Sequence, residues 1–252
     1  MDAALLLALS VAAFGTAALS ATFGMAGGLL LMGVYTALLP VPEAMVLHGV
    51  TQLVSNGGRA WLLRGHVRGG GVRFYLLGAA AAWILLRSAA WVPDEATVFL
   101  GIGAIPFVAL ALPPSAALDF GRRRGATLCG ALVAGAQLAF GVAGPLLDVF
   151  FVRTALLRRE VVATKAVVSA LSHALKVAFF APILLVADPV SVDPLPGLAL
   201  AAAVTVVGAL GGTRVGGVML ERMGEDTFRR WTRRLVLAIG AVFLARGVVA
   251  LG

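Results

Sequence analysis

Of the 252 residues, 60% are hydrophobic and only 13% are charged, about half the charged share with which a soluble domain covers its surface. Lipid is therefore expected as the outer solvent of this chain. The net charge of +8 does not point to a nucleic-acid partner, because Lys and Arg cluster in short connections between apolar runs, as topology signals do.

Ten membrane segments are predicted in chain order, over about 3–22, 26–39, 43–63, 74–92, 96–113, 126–142, 145–157, 160–186, 195–213 and 233–251. The first follows Met1 and Asp2 without the basic stretch of a secretory leader, so it is read as a retained membrane segment. The second and seventh each offer roughly 20 Å of helix against a hydrocarbon core of about 30 Å. They are read either as tilted short spans or as arms of re-entrant hairpins, leaving between about six and ten full crossings.

Three connections are rich in arginine: Arg64, Arg68 and Arg73; then Arg122, Arg123 and Arg124; then Arg214, Arg222, Arg229, Arg230, Arg233 and Arg234. The positive-inside rule places them on the cytoplasmic side. The connections around Asp94 and from Asp188 to Pro194 carry acids and prolines but no Lys or Arg, and go outside. Both termini then lie outside, and the expected location is a bacterial inner membrane, crossed several times.

Sliding the chain on itself by 117 residues brings Phe23-Gly24-Met25-Ala26-Gly27-Gly28-Leu29-Leu30 onto Phe140-Gly141-Val142-Ala143-Gly144-Pro145-Leu146-Leu147. Continued to Leu63 and Phe180, this register holds ten identities in 41 positions. The charge pattern starts the first copy outside and the second inside. The expected fold is thus an all-α integral membrane protein of two inverted-topology repeats, residues 1–117 and 118–252, with about five membrane segments each. Such repeats are common in secondary transporters, where the substrate binds near the midplane between them; an old duplication in a structural or enzymatic membrane protein is the alternative.

Two features coincide with the repeat. The glycine-rich breaks, with Gly24, Gly27 and Gly28 in one copy and Gly141 and Gly144 in the other, loosen the helix and let a new one start within the membrane. Helix N-termini there could face an anion, or the small residues could simply serve close helix packing. The second feature is a polar stripe on the helix after each break: His48, Gln52, Ser55, Asn56 and Arg59, and Lys165, Ser169, Ser172, His173 and Lys176. Their offsets of 0, +4, +7, +8 and +11 put each set on one helical face.

Ionisable groups at membrane depth are costly and usually face a cavity or the bundle interior. Those in the stripes are all bases, so a pathway lined by them favours an anion. Snorkelling to the interface is the competing account for Arg59, and to a lesser degree for His48 and Lys165, but it fits Lys176 least well. Asp148 has no acidic counterpart in the first copy, where Leu31 stands; it is read as a partner for Lys165 or Lys176, or as a proton acceptor during transport.

No enzyme motif, cofactor site or metal cluster is expected. There is no Gly-x-Ser-x-Gly elbow, His-Glu-x-x-His or phosphate loop, and His48 and His173 lack further ligands nearby in sequence. The single Cys129 lies in an apolar run and needs no functional reading.

The twin glycine motifs, the helix after each, and the ending Gly216-Gly217-Val218-Met219-Leu220-Glu221-Arg222 followed by Phe228-Arg229-Arg230 resemble the TauE/SafE family of sulfite exporters over nearly the whole chain. The family's Gly-x-Gly-Gly-Gly is altered here: Ala26 stands in the first copy, and Ala143 and Pro145 in the second. The resemblance implies two related halves and a sulfur-containing anion such as sulfite or an organosulfonate like sulfoacetate. The expected activity is export of that anion by alternating access, with proton coupling as an option. A permease for another small anion or metabolite, and a non-transporting membrane enzyme or scaffold, are the alternatives. The expected partners are the small anion and the lipid bilayer, with a homodimer left open.

Overall fold

The computed structural model describes residues 1–23, 26–112, 118–152, 154–186, 194–222 and 225–252. The described chain is all-helical, without strands. In order the helices are α1 (Ala3–Phe23), α2 (Ala26–Leu38), α3 (Val41–Leu62), α4 (Gly69–Ser88), α5 (Glu95–Ala111), α6 (Arg123–Phe140), α7 (Gly144–Val149), α8 (Arg158–Val186), α9 (Pro194–Glu221) and α10 (Glu225–Val249), with a 3-10 turn at Arg64–His66 after α3.

Local chemistry sets many of the boundaries. Asp2 accepts the Leu5 amide at 2.7 Å and opens α1. Pro40 separates α2 from α3, since proline disfavours helical backbone in the residue before it and offers no N–H of its own. Asp94 caps α5 by accepting the Thr97 amide at 2.7 Å. Gly141, in left-handed backbone at φ +79°, ends α6, a conformation that costs any residue with a Cβ.

Four helical stretches are long and apolar enough to cross a membrane: Ala3–Thr22, Gly69–Ser88, Arg158–Leu184 and Gly197–Met219. Ala26–Leu38 and Glu95–Ala111 are apolar but shorter. Large apolar side chains such as Leu7, Leu62 and Val207 are exposed, and together with the composition this surface fits lipid, not water.

The predicted segments and the helices differ most in three places. The seventh segment, 145–157, is not a continuous helix: α7 stops after six residues and 154–157 are irregular. Six residues span about 9 Å, far too short for a crossing. α9 runs eight residues beyond the predicted end at 213, and α10 starts eight before 233; charge at a membrane edge does not stop a helix, because Arg and Glu are good helix formers. The predicted outer connection lies mostly at 187–193, outside the described residues, as does Arg153.

The helices pack mainly in pairs, α1 on α9, α4 on α6, α3 on α8 and α5 on α10. Glycines bring the pairs close. A Cβ at Gly212 of α9 would lie 2.0 Å from the Phe14 carbonyl oxygen of α1, and one at Gly78 of α4 would lie 1.9 Å from that of Thr127 in α6. Such contacts suit helices in lipid, where dispersion and close approach replace the hydrophobic drive.

Candidate functional site

The polar stripes meet where α3 and α8 cross. His48 and Gly49 of α3 lie against His173, Lys176 and Val177 of α8, while Arg59 shares a cavity wall with Val161 and Lys165. Residue numbers rise along one helix as they fall along the other, so the two are antiparallel. Gly49 permits this approach: a Cβ there would come within 2.6 Å of Val177 Cγ2.

A cavity of about 240 Å³ lies along this crossing. Its mouth is at exposed Arg59 and Val162, and it ends among the buried side chains of His48, Gln137, Ser172 and His173. Of the residues singled out from the sequence, Gly28, His48, Gln52, Asn56, Arg59, Gly144, Asp148, Lys165, Ser169, Ser172 and His173 line it. One wall is polar; Leu29, Val133, Val142 and Leu147 form another that is apolar.

Three expected site residues lie elsewhere among the described residues, and Gly24 is outside them. Gly27 is a packing glycine, because a Cβ on it would lie 1.9 Å from the Thr16 carbonyl oxygen of α1. Gly141 sits behind the wall, and its carbonyl accepts from Lys176 Nζ at 3.0 Å and from Gln137 Nε2 at 3.0 Å. Lys176 is fully buried and does not line the cavity. Its ammonium spends its hydrogens on Gly141 O, on His48 Nδ1 at 2.7 Å and on Met32 Sδ at 4.0 Å, as many partners as it has donors.

These bonds fix both imidazole tautomers. The Gly28 carbonyl only accepts, so His48 Nε2–H donates to it at 3.1 Å, which leaves Nδ1 of the neutral ring to accept from Lys176 Nζ. The Gln137 amide nitrogen donates to the Gly141 carbonyl and also reaches His173 Nδ1 at 3.0 Å. His173 Nδ1 is therefore the acceptor, and its proton sits on Nε2, on a ring that lines the cavity. The two rings stand 5.4 Å apart.

The remaining charges are arranged unevenly. Lys165 forms an ion pair with Asp148, one of the two partners the sequence allowed. Arg59 faces the cavity without a carboxylate partner among the described residues. Ser172 Oγ is hydrogen-bonded to Tyr75 Oη, and Asn56 Nδ2 donates to the Gln52 carbonyl at 2.9 Å. The expected helix N-termini contribute little in the second copy, because α7 has only six residues and its dipole is correspondingly small.

Sequence reasoning missed Ser20 and Gln137, both of which line the cavity. A signal was present: the 117-residue register that pairs the stripes also pairs Ser20 with Gln137, polar positions just before each glycine break. The apolar wall carried no such signal, since Leu and Val abound throughout the chain. No family model matches the chain, and neither a curated protein nor a solved structure does.

Proposed function

We propose that the protein is a secondary transporter of a small anion, working by alternating access in a bacterial inner membrane that it crosses several times. The observation that carries this reading is the cavity at the α3–α8 crossing, where basic and hydrogen-bond-donating side chains from two widely separated stretches converge. Ionisable groups gathered around an intramembrane cavity mark an ion pathway, and here the bases outnumber the single acid, Asp148, which Lys165 already engages. The substrate is a sulfur-containing anion, sulfite or an organosulfonate; that part rests on the resemblance of the glycine motifs and the chain's ending.

Helix pairing supports two inverted halves, residues 1–117 and 118–252. Advancing every helix by five positions turns the α1–α9 pair into α6–α4 and returns α3–α8 and α5–α10 to themselves. The 117-residue register likewise turns the pair His48 and Lys176 into Lys165 and Arg59. One pair is packed shut and the other stands around the cavity mouth. In the opposite state the roles exchange: the Arg59–Lys165 end closes, with a carboxylate or a bound anion between the two cations, and His48 parts from Lys176. Asp148 is the group that would release Lys165 and take up a proton.

The test is counterflow with the pure protein in liposomes, using sulfite, sulfoacetate, taurine and sulfate. Flux of at least one sulfur anion is expected. Absence of flux for every anion tried overturns transport, and flux confined to non-sulfur anions overturns the substrate class alone.

A further inference from the structure

Away from the cavity, two arginines converge on one aromatic ring at the arginine-rich end of the bundle. The Arg73 guanidinium carbon lies 4.8 Å from the centre of the Phe74 ring, and that of Arg123 lies 5.5 Å from the same ring. Arg73 is in the first turns of α4 and Arg123 opens α6, two helices that pack together along their length. Both arginines are exposed, as is Arg124. The only acid in the α5–α6 connection, Asp119, is 3.6 Å from Arg122, and no carboxylate among the described residues pairs with Arg73, Arg123 or Arg124.

Cation–π attraction holds each guanidinium near the ring and leaves their outward N–H donors free for a ligand. Two exposed guanidinium groups beside one ring make a locally positive patch that draws an anion. Immediately along the same helices the surface turns apolar. Leu77, one turn after Arg73, is 63% exposed, and Leu128 and Leu132 are 43% and 44% exposed. A ligand covering both regions has a negative head with two oxygens that can each accept from a guanidinium and a hydrocarbon tail.

We propose that the basic patch of Arg73, Phe74 and Arg123 binds the phosphate of an anionic phospholipid, with its acyl chains running along α4 and α6 over Leu77, Leu128 and Leu132. Arginine suits this task because its fork bonds two phosphate oxygens at once. Basic notches between membrane helices are recognised sites for anionic headgroups.

The test compares the melting temperature of the full-length protein in neutral detergent with added phosphatidylglycerol, phosphatidylcholine or inorganic phosphate. Phosphatidylglycerol raises it and the other two do not. In the R73Q/R123Q variant the concentration of phosphatidylglycerol needed rises about thirtyfold, the loss expected for two basic contacts, whereas R73K/R123K, which keeps the charges without the fork, needs an intermediate concentration. An unchanged response in R73Q/R123Q overturns the assignment, and so does an equal response to phosphatidylcholine. Equal action of inorganic phosphate shows that the tails contribute nothing and overturns the lipid as occupant. If R73Q/R123Q does not fold, R123Q alone is read against the same three additives, and an unchanged response there is decisive against the site.

Discussion

His48 Nδ1 lies 2.7 Å from the ammonium of Lys176, joining α3 to α8 at the closed end of the cavity. The lysine is wholly buried and, among the described residues, has no carboxylate beside it; its partners are a ring nitrogen, a carbonyl and a thioether. Holding a charge there with neutral acceptors alone is expensive, and the cost has a use if that charge attracts an anion to the cavity in front of it.

Lys176→Met keeps the length and volume of the side chain while removing the charge. It strands His48 Nδ1 without its donor, which costs about 1–3 kcal/mol. The expected outcome is protein that still folds and elutes in gel filtration where the unaltered protein does, but with anion counterflow reduced at least about tenfold. Full counterflow would show that the Lys176 charge does not act on substrate.

Gln137 orients His173 and helps hold the Gly141 carbonyl. Gln137→Leu removes both bonds and frees the imidazole to turn. A rise in the transport KM of about tenfold is expected, corresponding to about 1.4 kcal/mol, with a smaller change in maximal rate. Gln137→Glu should restore neither bond to His173 Nδ1 nor that to the carbonyl, since a carboxylate only accepts. Concentration-dependent counterflow separates the two parameters.

Gly141 holds its left-handed backbone where a Cβ would meet Met32 Sδ at 2.7 Å. Gly141→Ala is expected to destabilise the protein by about 1–2 kcal/mol from the backbone alone, read as a lowered melting temperature in detergent. Met32→Ala removes the contact but also a buried side chain, so the contact's share is read from a double-mutant cycle with Met32→Ala alone as its fourth corner. A coupling equal to the whole Gly141→Ala loss would place the full cost in the contact.

Access to the cavity can be read with a thiol probe. Cys129 is buried in α6, so the protein itself should label slowly. In a Cys129→Ala background, Ser169→Cys puts a thiol on the cavity wall. A membrane-impermeant maleimide is expected to label it from the arginine-rich face, and a transported anion should slow the labelling. Labelling from the opposite face only would reverse the proposed orientation of the open state.

Asp94 caps α5 and lies outside the membrane-spanning stretches. Its hydrogen bonds from Thr97 hold its carboxyl below the usual aspartate value. Its folded value is thus below its unfolded one, so the cap stabilises fully above the ordinary aspartate range and is lost as pH falls through the lowered value. Asp94→Ala is expected to cost about 1 kcal/mol at neutral pH, and this difference from the unaltered protein should vanish in strong acid. Thermal melts at several pH values check both statements.

The sequence by itself determined what depends on near neighbours. Composition called for lipid, glycine placed a break at Gly141, and offsets of four, seven, eight and eleven put each set of polar residues on one helical face. These are properties of a single helix, fixed by 3.6 residues per turn.

Only the tertiary structure decided which faces meet. No spacing within α3 or α8 states that they cross antiparallel, that His48 finds Lys176, or that Lys176 stands behind the cavity and not in it. Gly27 and Gly28 are adjacent in the same motif, yet one packs against α1 and the other lines the cavity. The short α7 likewise escaped prediction, because hydropathy measures affinity for lipid and says nothing about whether a chain stays helical. Long-range packing settles these matters, and it is a property of all the helices together.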